Sequence, residues 1–269
     1  MSRSRLSVLA VLLFGCAEPT VAPPVATSHL PSPGLTLALP APEAVMPSGY
    51  TAIMGETNNS IPQTWKNVRY QQVFAGSDVV DPHIVKMCLR RDDLFGGAGS
   101  TQTLTIRLGP TSLDYTNLGS NFDGNYSAPP TEVFSGDVVV PASSAGGTPA
   151  DFDFCIPFTQ QYDHTPGSNL IVEVINTSAT LNPEPRDACA EGAAACTTAR
   201  AFAFTATADN AAIVQGGGLV MKFVSPEPPA PKDPVTSDDC KQGGWVEFGF
   251  RNQGQCVRFV ETGTDSRSS

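Results

Sequence analysis

Short segments in which apolar and polar residues alternate follow one another from residue 49 to residue 224 of this chain. In one of them, Leu104, Ile106 and Leu108 fall on the same face. Because successive side chains of a β-strand point to opposite faces, each segment would bury one face and expose the other. Gly, Pro, Asn and Asp separate the segments, as is typical of the turns in all-β proteins. Further segments of this kind are residues 151–158, 169–175, 201–205 and 218–224.

Two packed antiparallel sheets would bury the apolar faces of all these segments at once. The pattern therefore predicts an all-β fold, an antiparallel, jelly-roll-like β-sandwich. The composition fits one sizeable core with flexible connections, since 41% of the 269 residues are hydrophobic and the chain contains 24 glycines and 24 prolines. The formal net charge of −10 argues against nucleic acid as a partner, because phosphates require a basic surface.

The start of the chain has the pattern of an export signal. Arg3 and Arg5 precede a mostly apolar run, residues 6–14, that is too short to span a bilayer. The run leads into Leu-Phe-Gly-Cys, which resembles the bacterial lipobox. This resemblance implies that residues 1–15 are a lipoprotein signal peptide and that Cys16 is acylated. The alternative is an ordinary secretory signal with a chance cysteine.

The predicted location follows from this resemblance. Several acyl chains on one cysteine anchor a protein stably, so we expect the mature protein to be held on a membrane through Cys16. Ala17 follows the cysteine, and where the lipoprotein family carries no aspartate at this position the protein is sorted to the outer membrane. We therefore expect an exported protein of the outer membrane or cell surface.

Proline-rich segments divide the rest of the chain. Residues 16–48 and residues 225–238 are rich in proline, which predicts an extended tether and a second linker. Residues 49–224 between them form the predicted sandwich domain. Residues 239–269 form a predicted C-terminal disulfide module and tail.

Apart from Cys16, the chain contains six cysteines, and an even number in an exported chain predicts disulfides. Fifteen connectivities are available to six cysteines. Short spacing favours two local bridges, and the remaining two cysteines lie on predicted strands, where a cross-strand bridge is reasonable. A zinc site is the alternative, but no CxxC or paired histidine spacing supports it. The favoured pairs are Cys88 with Cys155, Cys189 with Cys196, and Cys240 with Cys256.

Few residues point to catalysis. His83 and His164 lie beside predicted turns, and a hydrolase arrangement with Ser or Cys could be drawn from them. However, the sequence has no G-x-S-x-G, no H-E-x-x-H and no phosphate-binding glycine-rich loop. We therefore expect a protein that is not an enzyme.

One loop carries oxygen donors at alternate positions around a glycine. Asn121, Asp123 and Asn125 form an array of the kind that calcium accepts, although the downstream carboxylates of a full calcium loop are missing. A solvated turn is the alternative interpretation. Calcium is thus the one candidate ion, and no other cofactor is expected.

The C-terminal module is unusually aromatic for its length. Its two cysteines, the Gly-Gly-Trp at residues 243–245 and the final Cys-Val-Arg-Phe-Val resemble a short element found at the C-termini of exported bacterial proteins. We expect a small β-hairpin closed by its disulfide. Trp245, Phe248 and Phe250 would form either a mini-core around the bridge or an exposed platform for a polysaccharide or partner protein.

Ordered blocks of the predicted domain resemble an exported bacterial β-sandwich domain that often occurs with PEP-CTERM sorting signals. The resemblance implies a sandwich fold and an extracellular setting, and no established activity. Two departures are the lipobox, which replaces a C-terminal sorting signal, and cysteines at strand positions. The blocks are residues 69–74, 84–90, 104–109, 133–136, 152–154 and 169–174.

Together these features predict a lipid-anchored bacterial cell-surface protein whose β-sandwich has a structural or interaction role. The expected partners are the membrane, through acylated Cys16, and an envelope polysaccharide or a surface protein. A carbohydrate-binding module of the envelope is the alternative function, followed by a hydrolase.

Overall fold

The computed structural model describes residues 40–62, 65–179, 184–227 and 233–267. These residues belong to two compact units, one within Leu37–Ala230 and one within Pro231–Ser269. The first unit is built from β-strands, and the second carries the one α-helix of the described chain.

The strands of the described residues are numbered in chain order. They are β1 (Glu43–Met46), β2 (Thr57–Asn59), β3 (Val68–Phe74), β4 (His83–Leu89), β5 (Ser100–Thr111), β6 (Thr131–Val140), β7 (Phe154–Asp163), β8 (Asn169–Asn176), β9 (Arg186–Ala190), β10 (Thr198–Ala203), β11 (Ile213–Leu219) and β12 (Met221–Val224).

These strands form two antiparallel sheets. One has four strands in the order β1-β12-β4-β7, and the other has eight in the order β2-β9-β11-β10-β3-β8-β5-β6. Only Val220 separates β11 from β12, so the chain passes from the larger sheet to the smaller one within a single residue. The two sheets pack together, which confirms the predicted all-β sandwich.

The main core lies between the two sheets. Leu104, Ile106 and Leu108 of β5 are at most 1% exposed and belong to this core, as the alternation predicted. Phe154 and Ile156 of β7 join it from the four-stranded sheet. Burying side chains of this size contributes about 1.5–3 kcal/mol each, which makes this layer the principal source of stability.

A second buried layer covers the opposite face of the eight-stranded sheet. The β5–β6 connection, residues 112–130, lays Leu118 and Phe122 over Val73 and Ile171. Arg69 clamps this connection, because its Nη2 donates to Asp123 Oδ1 at 2.7 Å and its guanidinium lies 4.7 Å from the Phe122 ring centroid. The connection is thereby held against the sheet.

The sandwich begins earlier than predicted. Strand β1 lies within residues 16–48, which were expected to be tether throughout, and pairs with β12 from Glu43↔Val224 to Met46↔Met221. Strand β1, which contains Val45 and Met46, is the edge strand of the four-stranded sheet. It pairs with β12 although the sequence before it is rich in proline. In the second linker, the described residues 225–227 and 233–238 contain no strand or helix.

The predicted β-hairpin in the C-terminal module is wrong. The described residues 239–267 contain a 3₁₀ turn, Gly244–Val246, and helix α1 (Gln253–Thr262), and no strand. Asn252 caps the helix, since its Oδ1 accepts from Gln255 N at 2.9 Å, and Gly263 ends it in a left-handed conformation with φ 68°. Val257 and Phe259, which were expected on a strand, instead lie on this helix beside Cys256.

Candidate functional site

The predicted disulfide pairing is confirmed, and each bridge occupies a different part of the chain. Cys88 of β4 and Cys155 of β7 are direct register partners, with Cα atoms 4.0 Å apart. The second bridge closes the β9–β10 connection, residues 191–197, and the third lies inside the C-terminal module. The bridges are Cys88–Cys155, Cys189–Cys196 and Cys240–Cys256. Disulfides persist in oxidising compartments, so these bonds indicate an extracytoplasmic setting.

The two candidate histidines lie in different environments. His83 is exposed, and its Nδ1 lies 2.8 Å from Asp163 Oδ1, a hydrogen bond that raises the pKa of His83. His164 is buried, and burial lowers its pKa, while its Nε2 lies 3.1 Å from the Ser168 carbonyl oxygen. Within the described residues neither ring is hydrogen-bonded to a hydroxyl or a thiol.

Each side chain of the candidate calcium loop makes a contact within the chain. Asp123 pairs with Arg69, and Asn121 Oδ1 accepts from Gly124 N at 2.6 Å. Asn125 is buried, and its Oδ1 accepts from Gly119 N at 2.9 Å. The three side chains therefore stabilise the loop, and Arg69 already pairs with the one carboxylate among them. Within the described part of the chain, no three His, Cys, Asp or Glu side chains are grouped as a metal site would require.

The candidate aromatic platform of the C-terminal module is instead a mini-core around its disulfide. Phe250 is 3% exposed beside Cys240 and Cys256, and Trp245 and Phe248 are partly buried against this cluster. The expectation of an exposed platform formed by all three rings is wrong, because Phe250 lies inside.

A concave surface lies elsewhere, on the face of the eight-stranded sheet that points away from the smaller sheet. We call it the β10–β11 groove, because Ala199 of β10 and its register partner Gly216 of β11 line its floor. Its volume is about 590 Å³, within the range of roughly 300–1,000 Å³ that is common for small-ligand clefts. The floor is open because these two residues carry almost no side chain above the sheet.

One wall of the groove is formed by the β5–β6 connection. Tyr115 and Thr116 line the groove, and the adjoining Leu118 is buried in the layer over the sheet. Asp114 organises the turn, since its Oδ1 accepts from Thr116 N at 2.7 Å and from Thr116 Oγ1 at 2.6 Å. These hydrogen bonds lower the pKa of Asp114, so the turn keeps its ionised acceptor at neutral pH. The Tyr115 ring, 45% exposed, is thus presented from an ordered turn.

The opposite wall is the disulfide-closed β9–β10 connection. Glu191, Ala193, Ala194 and Thr197 line it, and the Cys189–Cys196 bridge joins its ends. The Glu191 side chain lies against Gly216, where an added Cβ would come within 2.6 Å of Glu191 Cγ. Glycine at this position therefore leaves room for the Glu191 side chain.

The β10–β11 groove was not predicted from the sequence. Two signals were present: the Asp-Tyr-Thr-Asn turn at residues 114–117 and the three consecutive glycines at residues 216–218. Gly217 has a left-handed backbone conformation with φ 80°, which favours glycine. Gly218 lies so close to Gln72 that an added Cβ would come within 2.6 Å of the Gln72 amide. Neither signal shows which loops meet across the sheet.

The lipidation site Cys16 and the predicted signal lie outside the described residues. Among the residues described, no helix has the length and apolar character needed to cross a membrane. Neither the protein-family models nor the curated proteins contain a match to this chain.

Proposed function

We propose that the chain is a lipid-anchored bacterial cell-surface protein whose β-sandwich is a non-enzymatic interaction domain. The observation that carries the proposal is the β10–β11 groove, whose two walls are held by an ordered turn and by a disulfide-closed loop. A concave surface that is preformed in this way loses little conformational entropy when it binds a ligand.

The chemistry of the described residues favours binding over catalysis. Six cysteines are consumed in disulfides, so none of them offers a thiolate nucleophile. His83 pairs with Asp163 on the surface and His164 bonds a backbone carbonyl. A hydrolase of the Ser-His-Asp type would require a hydroxyl beside one of these rings.

The anchor is supported by the lipobox-like end of the signal and by disulfides, which both belong to an exported chain. A detergent phase-partition experiment tests it. Wild-type protein should enter the detergent phase, and Cys16→Ala should either enter the aqueous phase or remain an uncleaved precursor.

A matched variant separates anchoring from sorting. Ala17→Asp should still partition into detergent but should be retained in the inner membrane. Wild-type protein that is water-soluble and begins at a residue other than 16 would contradict the anchor.

The interaction role is tested by binding to isolated envelope material. Ala194→Trp would place a large ring in the wall of the groove, whereas Val139→Trp changes a residue that is 75% exposed and outside the groove. We expect Ala194→Trp to lose binding and Val139→Trp to retain it. Equal binding by both variants would contradict the assignment of the groove as the interaction site.

The alternative function, a carbohydrate-binding module, is favoured by one specific observation. Tyr115 presents an exposed aromatic ring in the same groove as the Glu191 carboxylate. This combination supplies both an apolar surface and a strong hydrogen-bond acceptor.

A further inference from the structure

We infer that the β10–β11 groove binds a neutral saccharide, with the Tyr115 ring as its stacking surface and the Glu191 carboxylate as its principal hydrogen-bond acceptor. The inference rests on the proposed interaction role and names the ligand class of the same site. It is carried by the position of one aromatic ring, one carboxylate and a floor of small residues in a single concavity.

The Tyr115 ring supplies the stacking surface. A pyranose presents one face of C–H groups, which are weakly positive and apolar, and the negative face of an aromatic ring attracts them. Tyr115 is 45% exposed and follows Asp114, whose carboxylate accepts two hydrogen bonds from Thr116. The ring therefore needs little ordering before a sugar can stack on it.

Polar side chains on both walls of the groove can meet sugar hydroxyls. Glu191 is exposed in the groove and its side chain is placed by contact with Gly216. A carboxylate accepts hydrogen bonds at both oxygens, and bonds to a charged acceptor are roughly twice as strong as neutral ones. On the opposite walls, the Thr197 hydroxyl can donate and accept, and the Thr116 hydroxyl, which already donates to Asp114, can accept.

The charge of the groove favours a neutral ligand. Glu191 is the only charged residue among those that line the groove, and no Lys, Arg or His lines it in the described chain. A phosphate or a uronic acid would meet a like charge there without a cation to neutralise it. The formal net charge of −10 adds long-range repulsion of polyanions. A neutral sugar loses nothing to either effect.

Small residues line the floor and one wall of the groove. Ala199 and Gly216 leave a flat surface over β10 and β11, while Ala193 and Ala194 keep one wall low. These small side chains leave room for a sugar ring beside Tyr115. A peptide that binds by adding a strand would instead require an open strand edge, and β10 and β11 are each paired on both sides.

The test is a printed glycan array followed by isothermal titration of the purified full-length protein with the neutral oligosaccharide that binds. Three variants carry the argument: Tyr115→Ala, Tyr115→Phe and Glu191→Gln. We expect Tyr115→Ala to weaken binding about tenfold or more and Tyr115→Phe to stay within about threefold, because the ring face is retained. Glu191→Gln should weaken binding by about three- to tenfold, because it removes the charge from the acceptor.

Phe95→Ala is the matched control, since Phe95 is an aromatic residue that is 40% exposed and does not line the groove. It should bind as the wild type does, and all variants should keep the wild-type unfolding midpoint. The inference is overturned if no neutral saccharide binds, if acidic glycans or peptides bind in preference, or if Tyr115→Ala and Glu191→Gln bind like Phe95→Ala. A protein that partitions into detergent and loses envelope binding on Ala194→Trp, but binds no neutral saccharide, would overturn this inference alone.

Discussion

Single buried polar side chains join distant segments of this protein. Arg90 is 1% exposed, and its Nε donates to Asp187 Oδ2 at 2.7 Å while its Nη2 donates to the carbonyl oxygens of Tyr50 and Ile53. The guanidinium also lies 5.0 Å from the Phe152 ring centroid. One side chain thus joins the segment after β1 to the end of β4 and to β9.

We expect Arg90→Ala to lower the free energy of unfolding by about 3–5 kcal/mol, because it leaves the Asp187 carboxylate buried without its partner. Lys222→Ala removes the more exposed Lys222–Glu43 pair and should cost less than about 1 kcal/mol. Urea unfolding of both variants measures the difference. Equal losses would show that burial does not control the value of the Arg90 contact.

The two described histidines should give stability opposite dependences on pH. The hydrogen bond to Asp163 raises the pKa of His83, so its contribution is present below the ordinary value near 6.5 and is lost as pH rises through the folded pKa. Burial lowers the pKa of His164, so stability falls as pH drops below the ordinary value, where the unfolded chain takes up the proton first.

Proton NMR titration of the ring Cε1–H signals measures both values. Asp163→Asn should lower the pKa of His83 towards the ordinary value and leave that of His164 unchanged. A His83 signal that titrates identically in the two proteins would contradict the hydrogen bond.

At the scale of elements, disulfides join segments that hydrogen bonds alone would hold less firmly. Cys88–Cys155 links β4 to β7 within the four-stranded sheet, and Cys189–Cys196 closes the connection that forms one wall of the β10–β11 groove. The sequence separations differ widely, 67 residues for the first and 7 for the second. The longer loop loses more entropy in the unfolded chain when it is closed.

We expect removal of the Cys88–Cys155 bridge, by Ala at both positions, to lower the free energy of unfolding by about 4 kcal/mol in the chain-entropy model. Removal of Cys189–Cys196 should lower the free energy of unfolding by about 2 kcal/mol. It should also weaken ligand binding, because this bridge closes the connection that forms one wall of the groove. Chemical unfolding of both double variants measures the costs. Peptide mapping without reduction that finds Cys88 free or joined elsewhere would contradict the pairing itself.

At the scale of the whole molecule, each compact unit has a core of its own. In the C-terminal module, Phe250 and Phe259 pack beside Cys240–Cys256, and the Arg267 guanidinium lies 4.8 Å and 5.0 Å from their ring centroids. Arg267 Nη2 also donates to Asp233 Oδ1 at 2.8 Å, which joins the end of the module to the last part of the second linker. So small a core needs its disulfide, because ordering costs roughly 1.5 kcal/mol per residue.

We expect cleavage between residues 225 and 238 to release a folded C-terminal module while the sandwich keeps its melting temperature. Cys240→Ala with Cys256→Ala should unfold the module alone, seen as loss of the near-ultraviolet circular dichroism of Trp245. Calorimetry of the cleaved and intact proteins provides the comparison. A sandwich that loses several degrees after cleavage would show that the two units stabilise each other.

The sequence by itself determined the class of fold and the disulfide pairs. Alternation in residues such as Leu104, Ile106 and Leu108 is a local property of a strand with one buried face. Pairing followed from the even number of cysteines and their spacing. The prediction failed in the C-terminal module, where Asn252 and Gly263 cap a helix in a segment that was expected to form a β-hairpin.

Only the tertiary structure decided where the candidate site lies. Tyr115 and Glu191 belong to connections far apart in the chain, and they share a groove because both connections border the same face of β10 and β11 in the eight-stranded sheet. Strand order also decided that Asp123 meets Arg69 and that β1 extends the four-stranded sheet. No short stretch of residues encodes such neighbours, because the free energy that selects them comes from packing between segments that are distant in sequence.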